Sequence, residues 1–330
     1  MKIACIGSNL ESEVCLNHFL SKGFIVDLLI TRPEHNSGSV SDYVNLHPWC
    51  KENKVEVVST LNVNSKETID EVKSHNIDVL LTLGWSQIFK KEFRASFNLV
   101  IGSHPTILPE GRGRAPIPWT IINRLERTGV SFFVIDEGVD TGELILQKQF
   151  DISQSITATV LYKEVAKHLS VGFMEIITKL KSGNELLFDK ISVNEELSYT
   201  TAKRIPSDGI LDFTRSAIEL ETLVRAITHP YPGAYTFYND KRIRVFSAWL
   251  GPDGRYYGAP GQILKIVEGE ILVNCGAGTL WLGLLTDDFG MEIETKNFRL
   301  HDHLSYSILN EIFEIKKQLK KLKEKNSELG

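Results

Sequence analysis

A single histidine stands where an apolar run ends and a loop of proline, glycine and arginine begins. The run is NLVIGSH, which ends at His104, and the loop continues as PTILPEGRGRAP to residue 116. Imidazole gains and loses a proton near neutral pH, so it suits acid–base chemistry. Pro105 and Pro109 restrict the path of the loop, and Arg112 and Arg114 suit an anionic group. At the end of a strand, however, a histidine is as often structural as catalytic.

Carboxylates lie in a second segment. SFFVIDEGVDTGELILQ (131–147) predicts a strand, a tight loop and a second strand, with Asp136, Glu137 and Asp140 in the loop. A histidine at the end of one strand and an aspartate at the end of its neighbour form an acid–base pair. A solvated or calcium-binding turn is the alternative, although the spacing does not fit an EF-hand loop.

Short apolar runs must position these residues. KIACIG (2–7), FIVDLLIT (24–31), VEVVST (55–60), IDVLLTLGW (77–85) and NLVIGSH predict buried strands, and helical patterns lie between them. This alternation is typical of an α/β fold with a doubly wound, Rossmann-like and mostly parallel sheet. Ligands bind beyond the carboxyl ends of such strands, which is where His104 lies. The glycines of a G-x-G-x-x-G dinucleotide motif are absent.

The second half of the chain has a different pattern. Residues 157–183 predict one amphipathic helix, and 233–300 contain short β runs with closely spaced glycines. Such runs are typical of a small antiparallel barrel or sandwich. We therefore expect a catalytic domain over 1–195, a β-rich, OB-like barrel domain over 196–300 and a C-terminal helix over 301–330.

The tail carries an a/d heptad pattern that a polar residue weakens near its end. Its members are Ile308, Ile312, Ile315, Leu319, Leu322 and Leu329, and Asn326 takes the third d position. The pattern predicts either a helix packed on its own domain or a coiled coil that forms a homodimer.

Composition excludes several classes of protein. Apolar residues make up 42% of the 330-residue chain and charged residues 24%, an ordinary globular balance. The net charge of −5 gives no basic footprint for nucleic acid. Four scattered cysteines without a C-x-x-C pair favour reduced thiols over disulfides or a metal site. We expect a cytoplasmic protein with no membrane partner, because neither a signal sequence nor an 18-residue apolar stretch is found.

The two polar segments together resemble the 10-formyltetrahydrofolate-dependent formyltransferases. The matching stretches are HPTILPEGRGRAPIPWTI and TGVSFFVIDEGVDTGELILQ, and the likeness continues through TAKRIPSDGILDF and LVRAITHPYPGAYTF to about residue 285. The family pattern is Asn-x-His-x-Ser-Leu-Leu-Pro-x-x-Arg-Gly followed by an Asp-x-Gly turn. The resemblance implies formyl transfer from the folate to an amine without a metal. His104 would then assist proton removal and stabilise the oxyanion, and Asp140 would orient or protonate it.

The chain departs from that pattern at Gly102, where the family has a catalytic asparagine whose amide binds the oxyanion. If the strand persists, residues 102 and 104 face one way and Ser103 the other. Three accounts remain open. The turn rotates Ser103 into the site as a third catalytic residue, a water or backbone N–H fills the gap, or the protein is catalytically impaired.

The resemblance also implies where the folate binds. Trp85, Gln87 and Ile88, at the end of a strand, would supply apolar surface and backbone contacts to the pterin; core packing is the alternative for Trp85. The remaining expected donor-pocket residues are Pro109, Asp136, Glu137, Gly138 and Val139.

The acceptor is predicted from charge. The tRNA-modifying relatives carry a basic loop after the second strand, whereas TRPEHNSGSVSDY (31–43) has one arginine and no lysine. An acidic chain also lacks the phosphate-neutralising surface that RNA binding needs, although Lys241, Arg242 and Arg244 form a local basic patch. A sugar nucleotide is therefore favoured over methionyl-tRNA, and a non-catalytic folate- or sugar-nucleotide-binding role stays open. The residues expected to bind the sugar nucleotide are Arg112, Gly113, Arg114, Trp119, Arg204 and Tyr231.

Overall fold

A computed structural model describes residues 1–36, 42–183, 190–252, 254–305, 312 and 315–320. The α-helices that it assigns are α1 (Leu10–Ser21), α2 (His47–Asn53), α3 (Lys66–Ser74), α4 (Lys91–Arg94), α5 (Pro116–Ile122), α6 (Ala158–Lys181) and α7 (Ala217–Ile227). The strands are β1 (Ile3–Ile6), β2 (Leu28–Thr31), β3 (Glu56–Ser59), β4 (Val79–Thr82), β5 (Leu99–His104), β6 (Arg112–Gly113), β7 (Arg127–Val134), β8 (Leu144–Asp151), β9 (Thr200–Thr201), β10 (Ala234–Tyr238), β11 (Lys241–Leu250), β12 (Ile263–Val267), β13 (Glu270–Asn274) and β14 (Thr279–Thr286). The chain divides into two compact units, Met1–Pro206 with Arg225–Pro232, and Ser207–Val224 with Gly233–Gly330.

The first unit contains a seven-stranded sheet in the order β3-β2-β1-β4-β5-β7-β8. The strands from β3 to β5 are parallel, while β7 is antiparallel to both β5 and β8. The predicted doubly wound, mostly parallel sheet is therefore confirmed. The strand order reverses between β1 and β4, and in open α/β sheets ligands bind beyond such a reversal.

Helix α1 begins and ends where its sequence dictates. The Asn9 side chain accepts a hydrogen bond from the Ser12 N–H, and the Ser12 hydroxyl accepts one from the Asn9 N–H. This reciprocal capping satisfies N–H groups that the first turn leaves unpaired. After the helix, Gly23 takes a φ of 75°, in the left-handed region that glycine favours. The Ser12 hydroxyl also donates to the Leu83 carbonyl, which ties α1 to the end of β4.

Both faces of the sheet are covered by apolar side chains. One face carries a buried cluster that includes Leu80 of β4 and Val100 of β5. On the other face, Phe132 of β7 packs edge-on against Phe173 of α6, with ring centroids 4.9 Å apart. Residues that are paired across β4 and β5, such as Leu80 and Val100, therefore point to the same face of the sheet. Because side chains alternate between the two faces along each strand, this pairing also determines which way the site residues point.

The second unit contains a five-stranded antiparallel sheet in the order β10-β11-β14-β13-β12. This confirms the expected β-rich C-terminal part. The helical residues 312 and 315–320 leave Ile312, Ile315 and Leu319 about half exposed. The other heptad positions, Ile308, Leu322, Asn326 and Leu329, lie outside the described residues. Of the described helices, none combines the length and apolar character needed to cross a bilayer.

Candidate active site

The histidine lies at the carboxyl end of β5, in the middle of the first sheet. His104 is opposite Ser131 of β7, and Gly102 is opposite Phe133. Its side chain is buried, with 6% of the residue exposed. Ser103 points to the other face, where its hydroxyl donates to the Thr82 carbonyl over 3.2 Å. The structure thus separates Ser103 from His104.

The imidazole contacts one carbonyl and one carboxylate. His104 Nε2 lies 2.8 Å from the Gly111 carbonyl oxygen, and Nδ1 lies 3.6 Å from Asp140 Oδ2. Because a carbonyl oxygen only accepts, Nε2 carries a hydrogen in this arrangement. Nδ1 faces the carboxylate at a distance too long for a direct hydrogen bond but close enough for an ion pair whenever the ring is protonated. The structure therefore brings His104 and Asp140 together, 3.6 Å apart.

Asp140 is held in place by its own backbone and by the arginine loop. Its φ of 55° lies in the left-handed region, which aspartate and asparagine tolerate better than most residues. Its Oδ2 accepts a hydrogen bond of 3.0 Å from the Gly113 N–H. In the same turn, Asp136 Oδ1 accepts from the Gly138 N–H and from the Thr141 hydroxyl. The acidic turn is thus internally bonded, and Asp140 joins it to the loop that follows His104.

The Arg112 side chain forms its hydrogen bonds with other residues of the protein. Its Nε donates to the Asp140 carbonyl at 3.0 Å, while Nη1 and Nη2 each donate to a Glu195 oxygen at 2.9 Å. These bonds and the positive charge lower the pKa of Glu195. Arg112 therefore ties the histidine loop to residues 195–198. By contrast, the Arg114 side chain is exposed and has no hydrogen-bond or ion-pair partner within the described parts of the chain, whereas its backbone bonds Thr201.

The position of the missing asparagine is filled by apolar side chains. A Cβ placed on Gly102 would lie 2.9 Å from Ile135 Cγ1 and 3.1 Å from Phe133 Cε2. The first distance is shorter than real Cβ contacts and the second is tighter than most of them, so a side chain at 102 requires Ile135 and Phe133 to shift. Glycine at this position and isoleucine at 135 form a matched pair in the packing of the site.

The expected folate residues occupy different environments. Gln87 bonds the backbone of Leu61 and Val63, and Ile88 is 66% exposed. Trp85 packs on the core cluster, and its indole Nε1 is buried without a hydrogen-bond partner among the described residues. The Arg32 guanidinium lies 5.6 Å from the Trp85 ring centroid. Sequence reasoning missed this arginine, because Trp85, its neighbour in space, is 53 positions away along the chain.

The acidic turn also borders a cavity of about 310 Å³. Pro109, Asp140 and Glu143 line it from one side, and Lys190 and Glu195 line it from the other. Lys190 Nζ pairs with Glu143 Oε2 at 2.6 Å. At the rim of the turn, Arg94 lies 3.4 Å from Glu137, and Val139 is 52% exposed. The cavity thus brings Pro109 and Asp140 together, while Trp85, Gln87 and Ile88 lie elsewhere.

Two of the expected acceptor residues form a stacked pair. The Trp119 indole N–H donates to the Ala202 carbonyl over 2.9 Å, and the Arg204 guanidinium lies 5.4 Å from the Trp119 ring centroid. A cation over an indole face is attracted by the ring quadrupole. The pair presents a planar cationic surface in the first unit.

Tyr231 belongs to a partly buried polar cluster that sequence reasoning missed. Burial, with the carboxylates of Glu11 and Asp42, raises the pKa of the Tyr231 hydroxyl. Tyr162 donates to Asp42 Oδ2. Burial also raises the pKa of Glu11 to about 8, with Asp42 contributing. A glutamate in the first turn of a helix is ordinarily assigned to dipole stabilisation, so its burial gave no signal.

Comparison with known proteins places this arrangement among relatives. A sequence model described as Formyl transferase matches residues 1–177, and one described as Formyl transferase, C-terminal domain, matches residues 204–299. The methionyl-tRNA formyltransferase of Clostridioides difficile (strain 630) is 33% identical over 250 residues, covering 74% of this chain and 79% of the relative. That of Ruminiclostridium cellulolyticum is 26% identical over 302 residues, covering 90% and 96%.

Among solved structures, an N-formyltransferase from Helicobacter canadensis has the same fold. It was crystallised with folinic acid and dTDP-3-aminofucose, and it matches with a TM-score of 0.61. The identity is 20%, and the match covers 87% of this chain and all of the other. At this identity the likeness extends to the fold alone.

Proposed function

Because the chain belongs to the formyl transferase family, we propose that it transfers a formyl group from 10-formyltetrahydrofolate to the amine of a nucleotide-linked amino sugar. The observation that carries the chemistry is the buried His104–Asp140 pair, with its 3.6 Å contact at the carboxyl end of β5. The pair needs no metal, and the described residues contain no cluster of three potential metal ligands.

The transfer moves a formyl group between two nitrogens. The acceptor amine attacks the formyl carbon, the carbonyl electron pair moves to oxygen, and the tetrahedral carbon then releases the folate nitrogen. A proton leaves the amine and a proton reaches the leaving nitrogen. His104 accepts the proton that leaves the amine, and Asp140 orients the imidazole ring. General acid–base catalysis of this kind is worth roughly 10²–10⁴-fold in rate. To reach the substrate, His104 Nε2 gives up its hydrogen bond to the Gly111 carbonyl and bonds the substrate instead. The glycines of the loop permit this movement.

The donor pocket is supported by the chemistry of its walls. A pterin has apolar faces and hydrogen-bonding edges, and pockets for such groups combine apolar lining with a few polar atoms. The unpaired Trp85 Nε1 and the backbone of residues 136–139 fit that description. The folinic acid bound by the Helicobacter canadensis relative supports the same donor class.

A sugar nucleotide fits the charges better than a tRNA does. The local basic patch is partly neutralised, because Arg242 and Arg244 both pair with Asp288, at 2.7 and 3.1 Å. The exposed Arg114 and the stacked Arg204–Trp119 pair suit a diphosphate and a flat base. The dTDP-3-aminofucose bound by the same relative has this chemistry.

Methionyl-tRNA is the second candidate, and the sequence relatives favour it. The relative that is 33% identical over 74% of this chain is a methionyl-tRNA formyltransferase. The two candidates differ in the size and charge of the acceptor, so they are separable by direct assay.

The test supplies 10-formyltetrahydrofolate with dTDP- and UDP-linked 3-amino and 4-amino sugars, and separately with methionyl-tRNA. We expect folate release and a formamido sugar with at least one sugar nucleotide, and no release with His104→Ala. His75→Ala serves as the matched control, because His75 follows α3 and, among the described residues, its side chain pairs only with the exposed Glu56 side chain. Turnover on methionyl-tRNA alone would reverse the choice of acceptor. Binding of folate and sugar nucleotide without turnover would favour a non-catalytic binding protein.

A further inference from the structure

The gap at Gly102 leaves the reaction without the family's oxyanion donor, and neither a side chain at 102 nor Ser103 fills it. Apolar atoms of Ile135 and Phe133 occupy the space at Gly102. The Ser103 hydroxyl faces away and donates to the Thr82 carbonyl. A side-chain donor therefore has to come from a neighbouring element that faces the same side as His104.

Strand register identifies Thr82 as that neighbour. The last paired residues of the parallel strands β4 and β5 are Leu81 and Ile101, so Thr82 stands beside Gly102. Leu80 and Val100 belong to one core cluster, on one face of the sheet. By alternation, Thr82 points to that same face together with positions 102 and 104.

The Thr82 hydroxyl has a property that its surroundings do not explain. The residue is 6% exposed, and Oγ1 is buried with no hydrogen-bond partner in the part of the chain that the structure describes. Buried hydroxyls are nearly always hydrogen-bonded, because an unpaired one loses its bonds to water without replacement. Thr31 shares this property on β2, but Thr82 also stands beside position 102, so its hydroxyl is available to a group that arrives with the substrate.

The backbone around Thr82 is held on both sides. Thr82 is paired with Ile6 of β1, and its carbonyl accepts the Ser103 hydroxyl on the β5 side. The next residue, Leu83, donates to the Ile6 carbonyl at 2.8 Å and accepts from the Ser12 hydroxyl. Such anchoring preorganises a donor, which is what stabilisation of developing charge requires. Ser103 is then a positioning residue for Thr82.

We infer that the Thr82 hydroxyl donates the hydrogen bond that stabilises the oxyanion, in place of the family's asparagine. The inference rests on the proposed formyl transfer. When the amine nitrogen bonds to the formyl carbon, the carbonyl electron pair moves to oxygen, and Thr82 Oγ1 donates to that oxygen until the pair returns and the folate nitrogen leaves. The half-buried side chain of Ile135 gives way to the formyl group as the donor binds.

The test compares Thr82→Val, Thr82→Ser and Thr31→Val in steady-state kinetics on the accepted sugar nucleotide. Valine keeps the shape of threonine and removes the donor, so kcat falls about 100-fold while KM for the folate changes little. Serine keeps the donor and stays within a few-fold of the native enzyme. Thr31 is the matched control, since its hydroxyl is equally buried and unpaired among the described residues but lies on β2, beyond β1 and β4.

Thermal unfolding of the same variants separates catalysis from folding. Thr82→Val loses an unpaired hydroxyl, so its unfolding midpoint stays level or rises while kcat falls. A Thr82→Val variant with kcat within threefold of native, or an equal loss in Thr31→Val, would overturn the inference and leave the proposed function standing. Absence of turnover by the native enzyme on every acceptor would refute the proposed function and this inference with it.

Discussion

At the residue scale, Asp140 combines a strained backbone with two separate contacts. Its carboxylate faces His104 Nδ1 and accepts the Gly113 N–H, while its φ is 55°. Asparagine adopts that backbone and keeps an oxygen for Gly113 but carries no charge. We expect Asp140→Asn to lower kcat by about 10² or more with an almost unchanged unfolding midpoint.

The control for Asp140→Asn is an aspartate-to-asparagine exchange at another residue whose φ lies in the left-handed region. Asp240, with a φ of 60°, lies in the turn between β10 and β11. Asp240→Asn should keep native kcat in the same assay. If Asp140→Asn also kept it, the carboxylate would have no part in the reaction.

Glu11 makes stability depend on pH in an unusual direction. Burial, followed by the charge of Asp42, raises its pKa from 4.5 to about 8, and the Asn9 hydrogen bond lowers it only in part. The folded protein therefore holds a proton that the unfolded chain releases above about pH 4.5. Through this group the free energy of unfolding falls as the pH rises from about 4.5 to about 8.

Glu11→Gln removes that dependence while it keeps the size of the side chain. We expect the variant to be more stable than the native protein at pH 8, by on the order of a few kcal/mol, and nearly equal at pH 4.5. Urea unfolding at both pH values measures this, with Glu13→Gln on the same helix as the control. Parallel pH profiles for Glu11→Gln and the native protein would show that Glu11 folds in its charged form.

At the element scale, apolar runs predicted the strands well because buried parallel strands are continuously hydrophobic. The apolar run 24–31 predicted a strand four residues too long. Residues 24–27 only lead from the end of α1 at Gly23 to the sheet, and pairing with β1 begins at Leu28. The pair of β6 with β9 was not predictable. It joins Arg112–Gly113 to Thr200–Thr201, and two-residue strands this far apart carry no periodic signal.

The contact between α6 and the sheet depends on one glycine. A Cβ on Gly172 would lie 2.2 Å from Phe132 Cζ, and Phe132 is fully buried against Phe173. Gly172→Ala gains about 1 kcal/mol of helix propensity but forces the ring or the helix to move, which costs about 1–3 kcal/mol. We expect a net loss of about 1 kcal/mol in the free energy of unfolding.

Urea unfolding measures that loss, and the next residue along the helix supplies the control. Val171 is 41% exposed on α6, so Val171→Ala should stay within about 0.5 kcal/mol of native. A Gly172→Ala variant more stable than native would mean that Phe132 has room to shift.

At the scale of the whole molecule, the sequence predicted local features of the site and missed those that depend on distant segments. His104 and Asp140 each lie in a compact motif, so their pairing followed from two neighbouring strand ends. The bond between Arg112 and Glu195, 83 positions away, was not predicted. The chain also returns to the first unit over Arg225–Pro232, bringing Tyr231 with it. Tertiary packing decides such contacts, and no local pattern encodes them.

The charge of the whole molecule yields the last prediction. The net charge is −5, and Asp288, whose pKa is held below its usual value first by Arg242 and then by Arg244, offsets one of the three positive charges of the basic patch. A protein that binds RNA through six to ten phosphates loses roughly 10³–10⁵ in affinity between 50 and 200 mM salt. We expect only weak tRNA binding with a shallow salt dependence, measured by fluorescence anisotropy. Asp288→Asn should steepen the slope by at most about two counterions, whereas Glu268→Gln, an exposed exchange of the same charge, should leave it unchanged. A steep slope in the native protein would contradict the sugar-nucleotide assignment, because a small diphosphate acceptor requires no extended cationic surface.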